Sequence, residues 1–450
     1  MKKNNFILLS IIVGGFILRA IFLGINYENK NNYYGHSLNA ADMGIQFVFH
    51  RRIGVFDTFH RELLHSTAIS ANKLVDPQNL KFGPRSELNL KHDFENEIGL
   101  GTLMGIIWSF TKDMRFIYIQ VLQLLIDVFC IWLIFLATYN IFGITEISLI
   151  SAFLYAVFPL QVYLLTFPSP YPWMVFCTIF ILYFLSRLYG KFLSNNECTK
   201  TILFVLMGLF IGLFAYIRST ILYLPLFIIA ILFIKEKVPK VIKYGIIMFF
   251  VEFLVLSPLI IRNYTAFNKI MLTRGNFWHS MWGGFGGHNN PWGVLYSDKQ
   301  VAQSVLNEKP DIELYGPEYE EILKKRWIKA IKETPFLVVK MYLERLWRFL
   351  FPVSWTPEGR FYFSFKKTIV VLPLFIFSFW GSFIVISKKY LSVRDFLIFS
   401  VPTLYFFITT AIITSPQIKY VYQGYIFMLL LSAFPIWEIL TKFLKKVKVW

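Results

Sequence analysis

Four cations and two groups of acids are the residues best suited to chemistry in this chain. Arg218, Arg262, Lys269 and Lys419 fall where long apolar runs give way to polar chain. A cation at such a boundary can neutralise a departing phosphate, and a guanidinium does so with two parallel hydrogen bonds. Arg262 belongs to the richest stretch, from Ser257 to Pro291. Asn263 and Tyr264 follow it directly, and Gly275, Gly283, Gly284, Gly286 and Gly287 precede the turn Asn289-Asn290-Pro291. Glycine backbone can approach a ligand closely, and a plain membrane exit asks for no such loop. The acids are Asp42 and the cluster Asp93, Glu95 and Glu97, just before Gly99. A carboxylate within hydrogen-bond reach of a hydroxyl can take its proton. The cluster can also bind an acceptor, hold a divalent ion or cap the helix that follows. Asp57, His60, Glu62 and His65 match no metal spacing, so no metal site is expected, although a divalent ion is not excluded.

Two further acids, Asp127 and Glu252, lie inside apolar runs. In a transporter such groups are proton or ion sites. Gln120 and Gln123 share a helical face with Asp127, so a buried polar contact is an equal reading. Arg19, near the outer end of the first run, reads as an arginine snorkelling to the surface.

Composition decides what must position these residues. Of 450 residues, 56% are hydrophobic and 19% aromatic, and mean hydropathy is +0.55. A soluble domain cannot bury that much apolar surface, so the chain is an all-α polytopic membrane protein. Runs long enough to cross about 30 Å of hydrocarbon begin near Phe6, Phe116, Ile147, Tyr171, Thr201, Thr220, Val241, Thr368, Asp395 and Val421. That makes about ten transmembrane helices. Gly99 to Phe110 is too short to span and reads as interfacial or re-entrant. The amino-terminal run reads as an uncleaved anchor, since no small-residue cleavage site follows it.

The net charge of +18 is mostly topology. With both ends inside, the short inner segments hold the clusters at Lys2–Lys3, Arg187–Lys200, Lys235–Lys243, Lys388–Arg394 and Lys442–Lys448. This is the positive-inside pattern, and it leaves no need for a nucleic-acid partner. Two long segments then lie outside, 26–97 and 262–367, both with amphipathic helical periodicity. The expected division is a transmembrane module over 1–261 with the first outer loop, a second outer loop over 262–367, and carboxy-terminal helices with a basic, lipid-contacting tail over 368–450. In the second loop, Ile322, Leu323, Trp327, Ala330 and Ile331 share one face. Lys340, Glu344, Arg345 and Arg348 form a charged stripe on the next helix. Cys130, Cys177 and Cys198 offer no disulfide framework.

The order of these residues resembles the GT-C superfamily of membrane glycosyltransferases, in particular the group similar to protein O-mannosyltransferases and lipid A aminoarabinose transferases. The resemblance rests on Arg19 in the first span, Asp42 in the first loop with Gly54 closing its helix, and the short helix after Gly99. It continues with Arg218 after GLFAYI, then Pro258 with Arg262-Asn263-Tyr264 and Phe267, then Gly275 and His288-Asn289-Asn290-Pro291, and Lys419-Tyr420. The chain departs from the pattern at Gln46, where a Tyr is usual, at His288 for Gly, at Ile217 for Thr, and at Lys419 for Arg. The resemblance implies a sugar donor carried on polyprenyl phosphate, an extracytoplasmic acceptor, and one inverting displacement. It implies Asp42 as general base, with Glu95 and Glu97 as alternatives. Arg218, Arg262, Lys269 and Lys419 would hold the phosphate, and Asn263, Tyr264, Asn289, Asn290 and Tyr420 would line the substrate loop. The multi-pass protein would sit in the plasma or inner membrane with its site outside. A transporter or flippase of lipid-linked sugars is the alternative, and it predicts ionisable pairs deep in the spans and repeat symmetry. A scaffold of an envelope complex is a third reading.

Overall fold

A computed structural model describes residues 2–26, 40–41, 43–44, 98–112, 115–192, 196–273, 277–294, 298–312, 314, 316–350, 353–355, 361–363, 365–413 and 422–447. Among these, eight helices are long and apolar enough to cross a membrane. They are α1 (Lys2–Asn26), α3 (Ile117–Phe142), α6 (Pro170–Tyr189), α7 (Glu197–Ile217), α9 (Val238–Phe267), α14 (Phe365–Ser387), α15 (Val393–Ile413) and α16 (Tyr425–Val447). The chain is an integral multi-pass membrane protein.

The remaining two expected spans are interrupted. The run from Ile147 forms α4 (Thr145–Val157) and α5 (Pro159–Leu164), separated at Phe158. Phe158 is extended, with φ −64° and ψ 113°, because the ring of Pro159 crowds an α-helical predecessor. The run from Thr220 gives only a single 3-10 turn and the nine-residue α8 (Leu224–Leu232). At about 1.5 Å per residue α8 cannot cross the hydrocarbon alone. The helix after Gly99, α2 (Gly99–Thr111), is short as its sequence requires.

The bundle is held by close backbone contacts and by polar seams. Gly208 and Gly212, four apart on α7, meet α9 where a Cβ would lie 2.5 Å from the Met248 carbonyl oxygen and 2.8 Å from the Val255 side chain. This small-residue pair lets two helices approach without a solvent-driven hydrophobic term. On α3, Gln120 donates to the Thr166 carbonyl at 2.6 Å and Gln123 to that of Ser169 at 3.2 Å. Those two bonds fix the chain between α5 and α6.

One turn further along the same face lies Asp127. It accepts from Arg19 Nε, Tyr155 Oη and Gln161 Nε2. Arg19 also donates to the carbonyls of Ala156 (2.6 Å), Gly15 (3.2 Å) and Tyr155 (3.4 Å). Arg19 and Asp127 are both buried, so the snorkelling reading of Arg19 is corrected. An opposite charge on α3 makes an inward rotamer cheaper than a reach to the surface, and three backbone carbonyls replace the lost water.

The basic clusters gather at one end of the bundle. Lys240 pairs with Glu197, Lys235 with Asp395 and Lys388 with Glu438, and Lys235 lies 5.2 Å from the Tyr189 ring. Helices α7 and α9 begin at that end. Arg218 and Arg262 therefore stand at the opposite one.

A separate small core covers that opposite end. It comprises α10 (Phe277–Gly283), α11 (Asp298–Leu306), α12 (Pro317–Glu333) and α13 (Pro335–Leu350), packed through Trp282, Phe285, Val305, Tyr319, Leu323 and Met341. Glu320 of α12 accepts the backbone N–H groups of Trp278 (2.7 Å) and His279 (3.1 Å), capping α10. This is the pairing of a carboxylate with free N–H groups at a helix start. A two-stranded antiparallel ribbon, β1 (Val353–Trp355) with β2 (Phe361–Phe363), leads back to α14.

Helix α13 buries part of its charged stripe: Arg345 is fully buried while Lys340 stays exposed, and Phe336 is 90% exposed with Val339, Leu343 and Trp347 standing out beside it. An amphipathic helix with its apolar face outward suits the membrane boundary rather than bulk water.

Candidate active site

Arg218 owes its position to the end of α7. It is extended (φ −154°, ψ 112°), closes the helix with its own N–H on the Phe214 carbonyl, and starts the 3-10 turn. Its guanidinium carbon lies 5.8 Å from the Tyr171 ring centroid at the start of α6, and the residue is buried. The next residues, Ser219 and Thr220, line a cavity of about 90 Å³ with Tyr223, Thr273, Ser280 and Ile413. Tyr405 of α15 donates to the Thr220 carbonyl and holds that wall.

Arg262 reaches the same neighbourhood by a different route. Helix α9 carries Pro258 in its interior. The missing N–H of Pro258 would strand the Leu254 carbonyl, and Ser257 Oγ donates to that oxygen at 2.8 Å. Neighbouring Ser side chains can repair a proline break in this way. The helix then runs to Phe267 and is closed by Asn268 in the left-handed conformation, φ 51°. Arg262, Asn263 and Tyr264 thus form its last turns. Arg262 Nη1 donates to Asn263 Oδ1 at 2.9 Å, and its guanidinium carbon lies 5.6 Å from the Phe267 ring centroid. Asn263 Nδ2 donates to the carbonyls of Met271 (3.1 Å) and Thr273 (2.6 Å). Because Thr273 lines the cavity, Asn263 ties the Arg262 turn to its wall.

The described residues of the long segment between α1 and α2 dock at this end. Met43, Ile98 and Leu259 form one buried cluster with Tyr216 against it. Tyr216 donates to the Val255 carbonyl at 2.8 Å. Ala40 and Met43 crowd Gly101 of α2, where a Cβ would lie 2.4 Å from Met43 Cβ. The chain on either side of position 42 therefore packs within a helical turn of Arg218, through Tyr216, and of Arg262, through Leu259. Asp42 itself lies outside the described residues, as do Asp93, Glu95, Glu97, Gly275, Lys419 and Tyr420.

Other sequence-selected residues go elsewhere. Lys269 is exposed and donates to the Pro317 carbonyl at 3.4 Å, toward α12. Tyr264 and Asn289 are exposed. Asn290 donates to the carbonyls of Val294 (2.8 Å) and His288 (3.0 Å) and accepts from Val294 N–H at 2.9 Å. Its side chain is spent on the turn.

Sequence reasoning missed the role of Arg345. The charged stripe on its helix was visible, but not that Arg345 turns inward from it. Arg345 Nη1 donates to the carbonyls of Ala411 (3.0 Å) and Ile412 (3.3 Å), and its Nε donates to His288 Nε2 at 3.3 Å. Since His288 Nε2 must accept, its Nδ1–H donates to Glu344 at 2.8 Å. Burial and the flanking guanidinium groups of Arg345 and Arg348 push His288 down to about 4, against the opposing pull of Glu344. The Gly284 backbone lies so near Arg345 that a Cβ would come within 2.9 Å of Nη2. Gly284 and His288 are thus packing and latch positions in the glycine stretch, joining it to the end of α15.

No family model matches the sequence, and no curated protein matches it. The architecture does match solved structures of the oligosaccharyltransferase of Archaeoglobus fulgidus. The structure tethered to an acceptor peptide containing the NVT sequon aligns with a TM-score of 0.55 at 14% identity, covering 95% of this chain and 49% of that one. The AglB structure with an inhibitory peptide and a dolichol-phosphate gives a TM-score of 0.55, 14% identity and coverages of 95% and 50%. The complex with Zn and sulfate gives 0.52, 12%, 95% and 49%. The chain therefore shares the fold of these oligosaccharyltransferase structures, and it spans about half their length. Among the described residues, no group of three or more His, Cys, Asp or Glu is arranged around a common metal position.

Proposed function

We propose that the protein is an integral membrane glycosyltransferase that moves a sugar from a polyprenyl-phosphate donor to an extracytoplasmic glycan, lipid or protein acceptor. The observation that carries this reading is that the helix ends bearing Arg218 and Arg262 are both tied to one small cavity, through Ser219 and Thr220 and through the Asn263 bond to Thr273, beside the chain flanking position 42. The solved relatives by fold carry an acceptor peptide and a dolichol-phosphate, which favours a lipid-phosphate donor here. The basic clusters at the opposite end of the bundle favour an extracytoplasmic site.

In this reading Asp42 takes the proton of the acceptor hydroxyl as its oxygen attacks the anomeric carbon. The carbon–oxygen bond to phosphate breaks in the same displacement, and the phosphate leaves with the electron pair. Attack from the face opposite the leaving group inverts the anomeric centre. Arg218 and Arg262 neutralise the charge that grows on the phosphate, in a site shielded from bulk water, where such charge stabilisation is largest. Lys419 would add a point charge without a fork. Asp93, Glu95 and Glu97 offer the acceptor side a second acidic surface, one able to take a divalent ion.

Donor affinity tests the phosphate role. Arg262→Ala should weaken binding of the polyprenyl-phosphate sugar by about 1.5–3 kcal/mol, the range for a hydrogen bond to a charged group, and Arg262→Lys should fall between. If Arg262 only anchors α9, folded yield will drop while donor affinity stays at the wild-type value.

A further inference from the structure

Beyond the transfer site, we propose that the small outer-loop core holds a binding subsite for a neutral sugar unit. As an acceptor subsite it rests on the glycosyltransferase reading; as a sugar-binding pocket it does not.

The pocket encloses about 290 Å³, near the lower end of the roughly 300–1,000 Å³ typical of small-molecule sites. Its floor is aromatic: Trp282 of α10 and Trp292 of the following turn lie 6.0 Å apart, centroid to centroid, at 45°. Its rim is amide: Gln300, Gln303 and Asn307 recur along α11 and its end at three- and four-residue spacing, which places them on one face. Arg326 of α12 closes the far side. Gly293 supplies the bend, at φ +64° with open space where a Cβ would stand. A residue with a side chain would be strained there and would intrude on the mouth.

This is the chemistry that recognises a pyranose. The C–H face of a sugar ring packs on an indole, and planar amides offer a donor and an acceptor to adjacent hydroxyl groups. Charge selects among sugars. Arg326 Nη2 is committed to Glu308 at 2.6 Å and to the Ser304 carbonyl at 3.1 Å, while its Nη1 donates to Ser304 Oγ at 2.9 Å. The guanidinium is therefore neutralised, and among the described residues no other Lys or Arg lines the pocket. A phosphate or uronate would find little uncompensated positive charge, whereas a neutral hexose needs none. The pocket is lined by the second long loop alone and shares no lining residue with the cavity beside Arg218, so it would hold a sugar unit of an extended glycan rather than the reacting hydroxyl.

The test is binding of neutral hexose trisaccharides, with a uronate-containing trisaccharide as comparison, to the full chain in lipid nanodiscs by saturation-transfer NMR. Gln300→Ala/Gln303→Ala/Asn307→Ala removes only exposed side chains and should leave the fold intact. It should weaken neutral-trisaccharide binding at least tenfold, and Trp292→Ala should do the same. Donor-lipid affinity, measured on the same samples, should be unchanged in the triple variant. Absence of neutral-trisaccharide binding, equal binding by the triple variant, or preference for the uronate would overturn the pocket proposal while leaving donor binding to stand or fall separately. Pocket-dependent sugar binding by a protein that binds no donor lipid would overturn the acceptor role and, with it, the transferase reading.

Discussion

Replacing Asp127 should unfold this protein more readily than replacing any of its partners. Arg19 brings one permanent charge into the interior, and Asp127 carries the only opposite charge among its hydrogen-bond partners. A lone buried carboxyl group can be neutralised by a proton, whereas a guanidinium stays charged at any accessible pH. Removing one member of a buried pair costs on the order of 3–5 kcal/mol. Asp127→Asn should reach the upper part of that range, because Arg19 keeps its charge. Arg19→Met should cost less, because Tyr155 and Gln161 still donate to the remaining carboxyl group. The double variant Arg19→Met/Asp127→Leu should recover much of the loss, since apolar replacement of a whole buried pair is often near neutral. Unfolding titrations in mixed micelles, run on all four proteins, give the coupling energy of the cycle. Additive costs, or an Asp127→Asn variant within about 0.5 kcal/mol of wild type, the scatter of independent sites, would refute a buried pair.

The His288 latch gives a pH dependence of definite sign. Its folded value, about 4, lies below the ordinary histidine range near 6.5. Between those values the unfolded chain binds a proton that the folded protein refuses. Stability should therefore fall as pH drops from about 6.5 toward 4, by about 3 kcal/mol at most. His288→Gln should flatten the slope over that window, and an unchanged slope would remove the latch from the account. For topology, a cysteine placed at Ser304 in a Cys198→Ser background should react with an impermeant reagent from outside. One placed at Asn195 should not, and reversed labelling would contradict the orientation.

Much of the fold was legible because apolar run length is a direct physical requirement of the bilayer. Eight runs became continuous helices, and the short run after Gly99 stayed short. The two that failed did so for local reasons that mean hydropathy averages away. Pro159 forces its predecessor out of the helix, and the run after Arg218 opens with a tight turn. At Pro258 the helix stays continuous, since a single hydroxyl on Ser257 takes up the carbonyl that the proline would strand. The site was legible in type but only partly in role. Arg218 and Arg262 could be chosen because a cation is costly at those boundaries. Asn263 and Asn290 looked like ligand contacts, yet both are consumed in holding backbone. The pairing of Arg19 with Asp127 spans 108 residues, a separation no local pattern reports. The inward turn of Arg345 was hidden because a charged stripe is normally solvated, and only packing against α15 reveals the exception.

Turnover of a radiolabelled polyprenyl-phosphate sugar, compared between the wild-type protein and Asp42→Asn, decides whether the protein is a transferase with Asp42 as its base. The substitution keeps size and hydrogen bonding and removes basicity. The wild-type protein should release polyprenyl phosphate and transfer the label to the acceptor. Turnover should drop by about 10²–10⁴ for Asp42→Asn, with donor binding intact. Turnover by Asp42→Asn at the wild-type rate would contradict the assignment of the base, and no transfer from any lipid-phosphate sugar by the folded wild-type protein would contradict the enzyme itself.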